Sequence, residues 1–139
     1  MNQVLKSFMG LHECEILQQY LQLREANGKV AKRNLKSGRR WEIHSSATTD
    51  AIGLTYKRQI EDAFKIKLSL SSTCLRKFEK GSNIGWHRNK WNFEYVVAIQ
   101  VNDTTWPIGL AKKQDNPVIE GVQGRNITDF TKLTALQGD

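Results

Sequence analysis

Leu75–Leu110, LRKFEKGSNIGWHRNKWNFEYVVAIQVNDTTWPIGL, alternates apolar runs with turns rich in glycine and asparagine. It reads as a strand over Leu75–Lys80, turn composition at Glu79–Asn83, then His87 just ahead of the most apolar run of the chain. In that run Phe93, Tyr95, Val97, Ile99 and Val101 line one face, and Glu94, Val96, Ala98 and Gln100 the other. A strand apolar on much of both faces is expected at the centre of a sheet. Asn102–Thr105 turns the chain, and Trp106–Ala111 is expected to run back beside it. Antiparallel β-structure therefore governs the second half.

Upstream the period is helical. Leu11, Cys14, Ile16, Leu17, Tyr20 and Leu21 recur at three- and four-residue steps, and Asn27-Gly28 supplies a left-handed stop, so a helix is expected over Leu11–Asn27. Ile52, Tyr56, Ile60 and Phe64 form a stripe on a second helix ending near Lys65, with Thr49 or Asp50 as its cap. Trp41 and Ile43 suggest a short strand. Ile66, Leu68 and Leu70 alternate with polar residues and suggest another. Lys112–Asn126 reads as a loop, and Phe130–Leu136 as a last strand or turn. Helices followed by antiparallel strands define an α+β protein, a sheet or barrel packed on N-terminal helices. The chain of 139 residues fits a single domain, helical over about 1–65 and β over about 66–139.

Composition excludes several classes. With 39% hydrophobic and 25% charged residues the chain is globular. No apolar run approaches the roughly 20 residues of a membrane helix, so no membrane partner is expected. The N-terminus lacks a secretory pattern, and Cys14 and Cys74 are expected as reduced thiols of an intracellular, cytoplasmic protein. The formal charge is +7, and Lys29, Lys32, Arg33, Lys36, Arg39 and Arg40 cluster in one segment without an acid. That segment reads as a basic loop able to hold an anionic partner.

His87 is the leading candidate for chemistry. Imidazole is the commonest transition-metal ligand near neutral pH, and His87-Arg88-Asn89 places a second donor two residues on. Asn89 is a weak candidate, because its amide oxygen carries no charge to offset a dication. Glu94 is a candidate carboxylate near His87 or, more readily, an ion-pair partner of Arg76 or Arg88. Arg76 on its strand has the fork that grips a carboxylate through two N–H donors. Trp86, Trp91, Trp106, Phe78 and Phe93 read as core and rim packing. His12 and His44 have no neighbour at metal-ligand spacing. Nothing in the chain has the pattern of a serine nucleophile elbow or a phosphate-cradling glycine loop.

Several short segments follow one another in a recognisable order. They are Arg76-Lys77-Phe78, Glu79-Lys80-Gly81-Ser82, His87-Arg88-Asn89-Lys90, Phe93-Glu94-Tyr95, Trp106-Pro107-Ile108 and Gly138-Asp139, preceded by His12-Glu13-Cys14-Glu15-Ile16-Leu17. Through them the chain resembles the 2-oxoglutarate- and Fe(II)-dependent oxygenases, in particular the prolyl-4-hydroxylase-like group. The resemblance implies a double-stranded β-helix (jelly roll) preceded by helices, with Fe(II) and 2-oxoglutarate between its sheets. His87 would be the first iron ligand, Asn89 would stand at the carboxylate position, and Arg76 and Phe78 would lie at the cosubstrate. The substrate would be a C–H bond of a protein or small molecule.

The chain departs from that pattern. Asn89 replaces a carboxylate, Phe78 lacks a hydroxyl, and no histidine follows His87. The second imidazole and the basic cosubstrate clamp are expected after a Gly-Asp turn, where this sequence stops. The resemblance thus implies a jelly roll incomplete at its C-terminus, without a full metal triad, as in a fragment or an inactive homologue. The alternative is a non-catalytic binding domain that uses Lys29–Arg40 to hold an anionic partner such as nucleic acid, the less favoured of the two readings.

Overall fold

The computed structural model describes residues 4–35, 37–84, 95–104, 106–110 and 131–139. They include helices α1 (Leu11–Ala26) and α2 (Ala47–Phe64) and strands β1 (Ala31–Asn34), β2 (Arg39–His44), β3 (Cys74–Phe78), β4 (Trp106–Leu110) and β5 (Thr131–Ala135). Every pairing between these strands is antiparallel, which makes the protein α+β as the sequence predicts. The described strands form a sheet of order β1-β2-β3 and a separate β4-β5 pair, and they do not close a barrel. The chain groups into two compact units, Glu25–Asn83 and Met1–Arg24 with Ile84–Asp139.

In the Glu25–Asn83 unit, α2 begins with a capping box. Ser46 Oγ accepts from the Thr49 N–H, and Thr49 Oγ1 accepts from the Ser46 N–H, both at 3.1 Å. The cap is therefore Ser46, not Thr49 or Asp50, because only a residue with extended φ/ψ (−78°, 157°) can turn its side chain back onto the first turn. Tyr56 and Ile60 are buried on the expected stripe, with Ile52 and Phe64 at its half-buried ends.

The alternation of Ile66, Leu68 and Leu70 does not make a strand. Lys65 turns left-handed (φ 57°, ψ 42°), and the Leu68 N–H donates to the buried Glu61 carboxylate at 2.8 Å. That donor is thus unavailable to a ladder. The next residues brace the helix start: Thr73 Oγ1 donates to Asp50 Oδ1 at 2.6 Å and contacts Thr49 Oγ1 at 2.8 Å.

The basic segment expected as a loop is a hairpin. β1 and β2 pair from Ala31↔Glu42 to Asn34↔Arg39, and Gly38 holds the turn at φ +82°. A Cβ there would meet Ser82, so glycine is required both sterically and conformationally. All of β1 is exposed, and a short, charged outer strand is a familiar protection against edge-to-edge association.

In the other unit Met9, Cys14, Leu17 and Leu21 are buried. A corner at Gly138-Asp139 gathers its hydrogen bonds. Gln100 donates to the Asp139 carbonyl at 3.0 Å and accepts from the Gly138 N–H at 2.7 Å, while Met9 donates to the Gly138 carbonyl at 2.8 Å. The Asp139 carboxylate accepts from the Ser7 N–H (2.8 Å), the Leu136 N–H (2.9 Å) and Lys6 Nζ (2.9 Å). These backbone donors and the Lys6 charge hold its pKa down to about 2.

The long central strand expected over Phe93–Val101 is not seen in its described part. Residues 95–101 are irregular, and Tyr95, Val96 and Val97 are exposed. The neighbour of β4 is instead β5, from Trp106↔Ala135 to Leu110↔Thr131.

Candidate functional site

Alternation along a strand sends successive side chains to opposite faces, and residues paired across strands share a face. In the β1-β2-β3 sheet this sorts the residues in two. Trp41, Ile43, Leu75 and Lys77 share one face, where Ile43 and Leu75 are buried and Lys77 Nζ lies 4.9 Å from the Trp41 ring centroid. The other carries Arg33 from β1, Arg40, Glu42 and His44 from β2, and Cys74, Arg76 and Phe78 from β3.

Glu42 is the hub of this second face. Its side chain is only 1% exposed. Arg33 Nε donates to Oε1 at 2.8 Å, and His44 Nε2 meets the same oxygen at 2.8 Å. Arg40 Nε lies 3.0 Å and Arg76 Nε 3.4 Å from Oε2. Those two contacts are ionic without hydrogen-bond alignment, because Oε2 and Arg40 Nε make no hydrogen bond among the described residues. Burial is the largest single influence on Glu42 and opposes ionisation. The His44 and Arg33 hydrogen bonds and the Arg40 charge together outweigh it and hold the pKa down to about 2.

Three guanidinium groups thus surround one carboxylate, a local surplus of two positive charges. Each is contacted through Nε, one of five N–H donors in a guanidinium fork, so Glu42 uses a small part of their capacity. Guanidinium groups arranged in this way are suited to carboxylate or phosphate geometry.

His44 Nε2 also lies 3.9 Å from Cys74 Sγ. Loss of hydration and the Glu42 charge raise the Cys74 thiol pKa, with Arg76 opposing. A Cys–His–acid relay needs each ring nitrogen on a different partner. Here one nitrogen faces both, so the three groups are not strung out as such a relay.

Of the residues singled out from the sequence, Arg76 and Phe78 stand together on the hub face. His87, Asn89 and Glu94 lie outside the described residues. Trp106 opens β4, and its side chain also lies outside the described part. From the basic segment, Arg33 and Arg40 reach the hub, whereas Arg39 is closed by two hydrogen bonds to Glu79 at 2.9 and 3.0 Å. Glu42 and Cys74 escaped the sequence reading, and His44, set aside there for want of a neighbour at metal-ligand spacing, in fact has Glu42 two positions away on β2 and Cys74 across the pairing. Their signal is the alternation Arg40-x-Glu42-x-His44, visible once Trp41 and Ile43 are assigned to the opposite face of a strand.

Comparison with known proteins found no matching family model, no matching curated protein and no matching solved structure.

Proposed function

We propose that this chain is a 2-oxoglutarate/Fe(II) oxygenase-like protein that takes up a small dicarboxylate on the cationic face of its β1-β2-β3 sheet. The observation that carries the reading is that Arg76 and Phe78, the cosubstrate positions implied by the resemblance, share a face with Arg33 and Arg40 around the buried Glu42. A dicarboxylate such as 2-oxoglutarate matches the surplus of two charges and the planar geometry of guanidinium forks. The fit to iron is poor on the donor set, because Asn89 supplies no charge at the carboxylate position that the resemblance implies. The proposal is therefore for anion binding on a jelly-roll-derived fold, and no oxidative step is assigned.

Calorimetric titration with 2-oxoglutarate tests it. Binding is expected to weaken about tenfold or more in Arg76→Ala, the order lost with one charge-assisted pair. Absence of heat at millimolar ligand, or equal affinity in Arg76→Ala, overturns it.

A polyanion such as nucleic acid is the second reading, favoured by the exposed basic strand β1. It is the weaker one, because Arg39 is engaged by Glu79 through two hydrogen bonds. A steep loss of affinity with salt would mark it, since several phosphate contacts release several counterions.

A further inference from the structure

We propose that Glu42, His44 and Cys74 form a binding site for a divalent transition metal of the zinc type, separate from the iron position implied at His87. The site shares Glu42 and Arg33 with the face assigned to the dicarboxylate, and titration with metal in the absence of 2-oxoglutarate tests it separately. Glu42 and His44 are two positions apart on β2, and Cys74 is the register partner of His44 on β3. All three donors are carried by paired strands, which fix their separation better than a loop would.

One carboxylate oxygen, one imidazole nitrogen and one thiol sulfur lie within 4.8 Å of one another. The measured pairs are 2.8 Å from Glu42 Oε1 to His44 Nε2 and 3.9 Å from His44 Nε2 to Cys74 Sγ. Zinc bonds of about 2.0–2.3 Å in tetrahedral geometry put donor atoms roughly 3.3–3.7 Å apart. These two pairs bracket that range, the third falls within 4.8 Å, and His44, whose side chain is about half exposed (49%), can turn to meet it. Three protein ligands with one open position is the pattern of an accessible zinc centre.

Within this triad Glu42 offers Oε1, the oxygen that faces His44, while Oε2 lies against Arg40 and Arg76. The arginines around Glu42 oppose a dication. Arg33, which shares Oε1 with His44, has a side chain 59% exposed and room to swing into water. Deprotonation of Cys74 on binding supplies a further negative charge.

Titration of the purified full chain with Co(II), a spectroscopic substitute for zinc, tests the site. The expected result is one equivalent bound, with a thiolate-to-cobalt charge-transfer band and tetrahedral visible absorption. Cys74→Ser should abolish the charge-transfer band, and His44→Ala should weaken binding by about tenfold or more. Both side chains are exposed, and unchanged circular dichroism will show that the variants fold. Cys14, which is fully buried, serves as the internal control. A charge-transfer band that persists in Cys74→Ser, affinity unchanged in His44→Ala, or no band with millimolar Co(II) on folded protein would each overturn the assignment.

Discussion

Arg33 Nε donates to Glu42 Oε1 at 2.8 Å, although the register partner of Glu42 on β1 is Ala31. The contact is diagonal across the hairpin, a reach that a long guanidinium side chain can cover. It brings a charge from the exposed outer strand onto a buried acid, so the turn at Gly38 and the hub are mechanically connected.

Removal of the hub carboxylate should therefore loosen the sheet. In Glu42→Ala, three guanidinium groups lose their shared counterion. Because Arg33 and Arg76 are substantially exposed and regain water, the expected loss is about 1–3 kcal/mol, less than for a wholly buried pair. Urea denaturation followed by Trp fluorescence measures it. A midpoint equal to that of the parent chain would mean the hub contributes nothing.

Acid should act through the same residue. The Glu42 pKa lies near 2 in the folded chain against an ordinary 4.5. A depressed carboxylate contributes stability that is fully present above about pH 4.5 and lost as the pH falls towards about 2. Asp139, near 2 against 3.8, adds a second contribution in an overlapping window. Thermal midpoints measured across that range should fall in the parent chain and fall less steeply in Glu42→Gln. Parallel slopes would contradict the assignment.

The corner at Gly138 gives a sharper steric test. Gly138 has φ +85°, and a Cβ there would run into the Met9 carbonyl oxygen, which is backbone and cannot rotate away. Gly28 also has positive φ (+67°), but open space surrounds its missing Cβ. Gly28→Ala should cost about 1 kcal/mol from backbone strain alone, and Gly138→Ala distinctly more. Equal midpoints for the two variants would show that the Met9 contact is not maintained in solution.

The start of α2 offers a local measurement. Ser46→Ala removes the acceptor for the Thr49 N–H and should destabilise the helix by about 1 kcal/mol, while Ser46→Asp should largely retain it. Amide exchange at Thr49 should rise in the alanine variant and stay near the parent value in the aspartate variant.

The helices were legible because each carries a local signal. The apolar steps from Leu11 to Leu21 and from Ile52 to Phe64 lie on single segments, and Gly28 marks a stop that needs no distant partner. The placement of β3 and β4 was legible for the same reason. Two alternating runs misled. Ile66–Leu70 gives the Leu68 N–H to Glu61, and Gln100 gives both its backbone groups to Gly138 and Asp139. In each case a tertiary acceptor or donor displaced the ladder that periodicity suggested.

By itself the sequence determined the α+β class, the two helices, the charge of the Lys29–Arg40 segment and the identities of Arg76 and Phe78 as residues to watch. Only the tertiary structure decided that the basic segment is a hairpin and that Arg33, Arg40 and Arg76 converge on Glu42 beside His44 and Cys74. Alternation fixes which face of its own strand a side chain occupies. Which side chains of other strands it meets there depends on register, and register follows from the turn at Gly38 and from pairing with β3, whose residues lie at least 30 positions from their β2 partners.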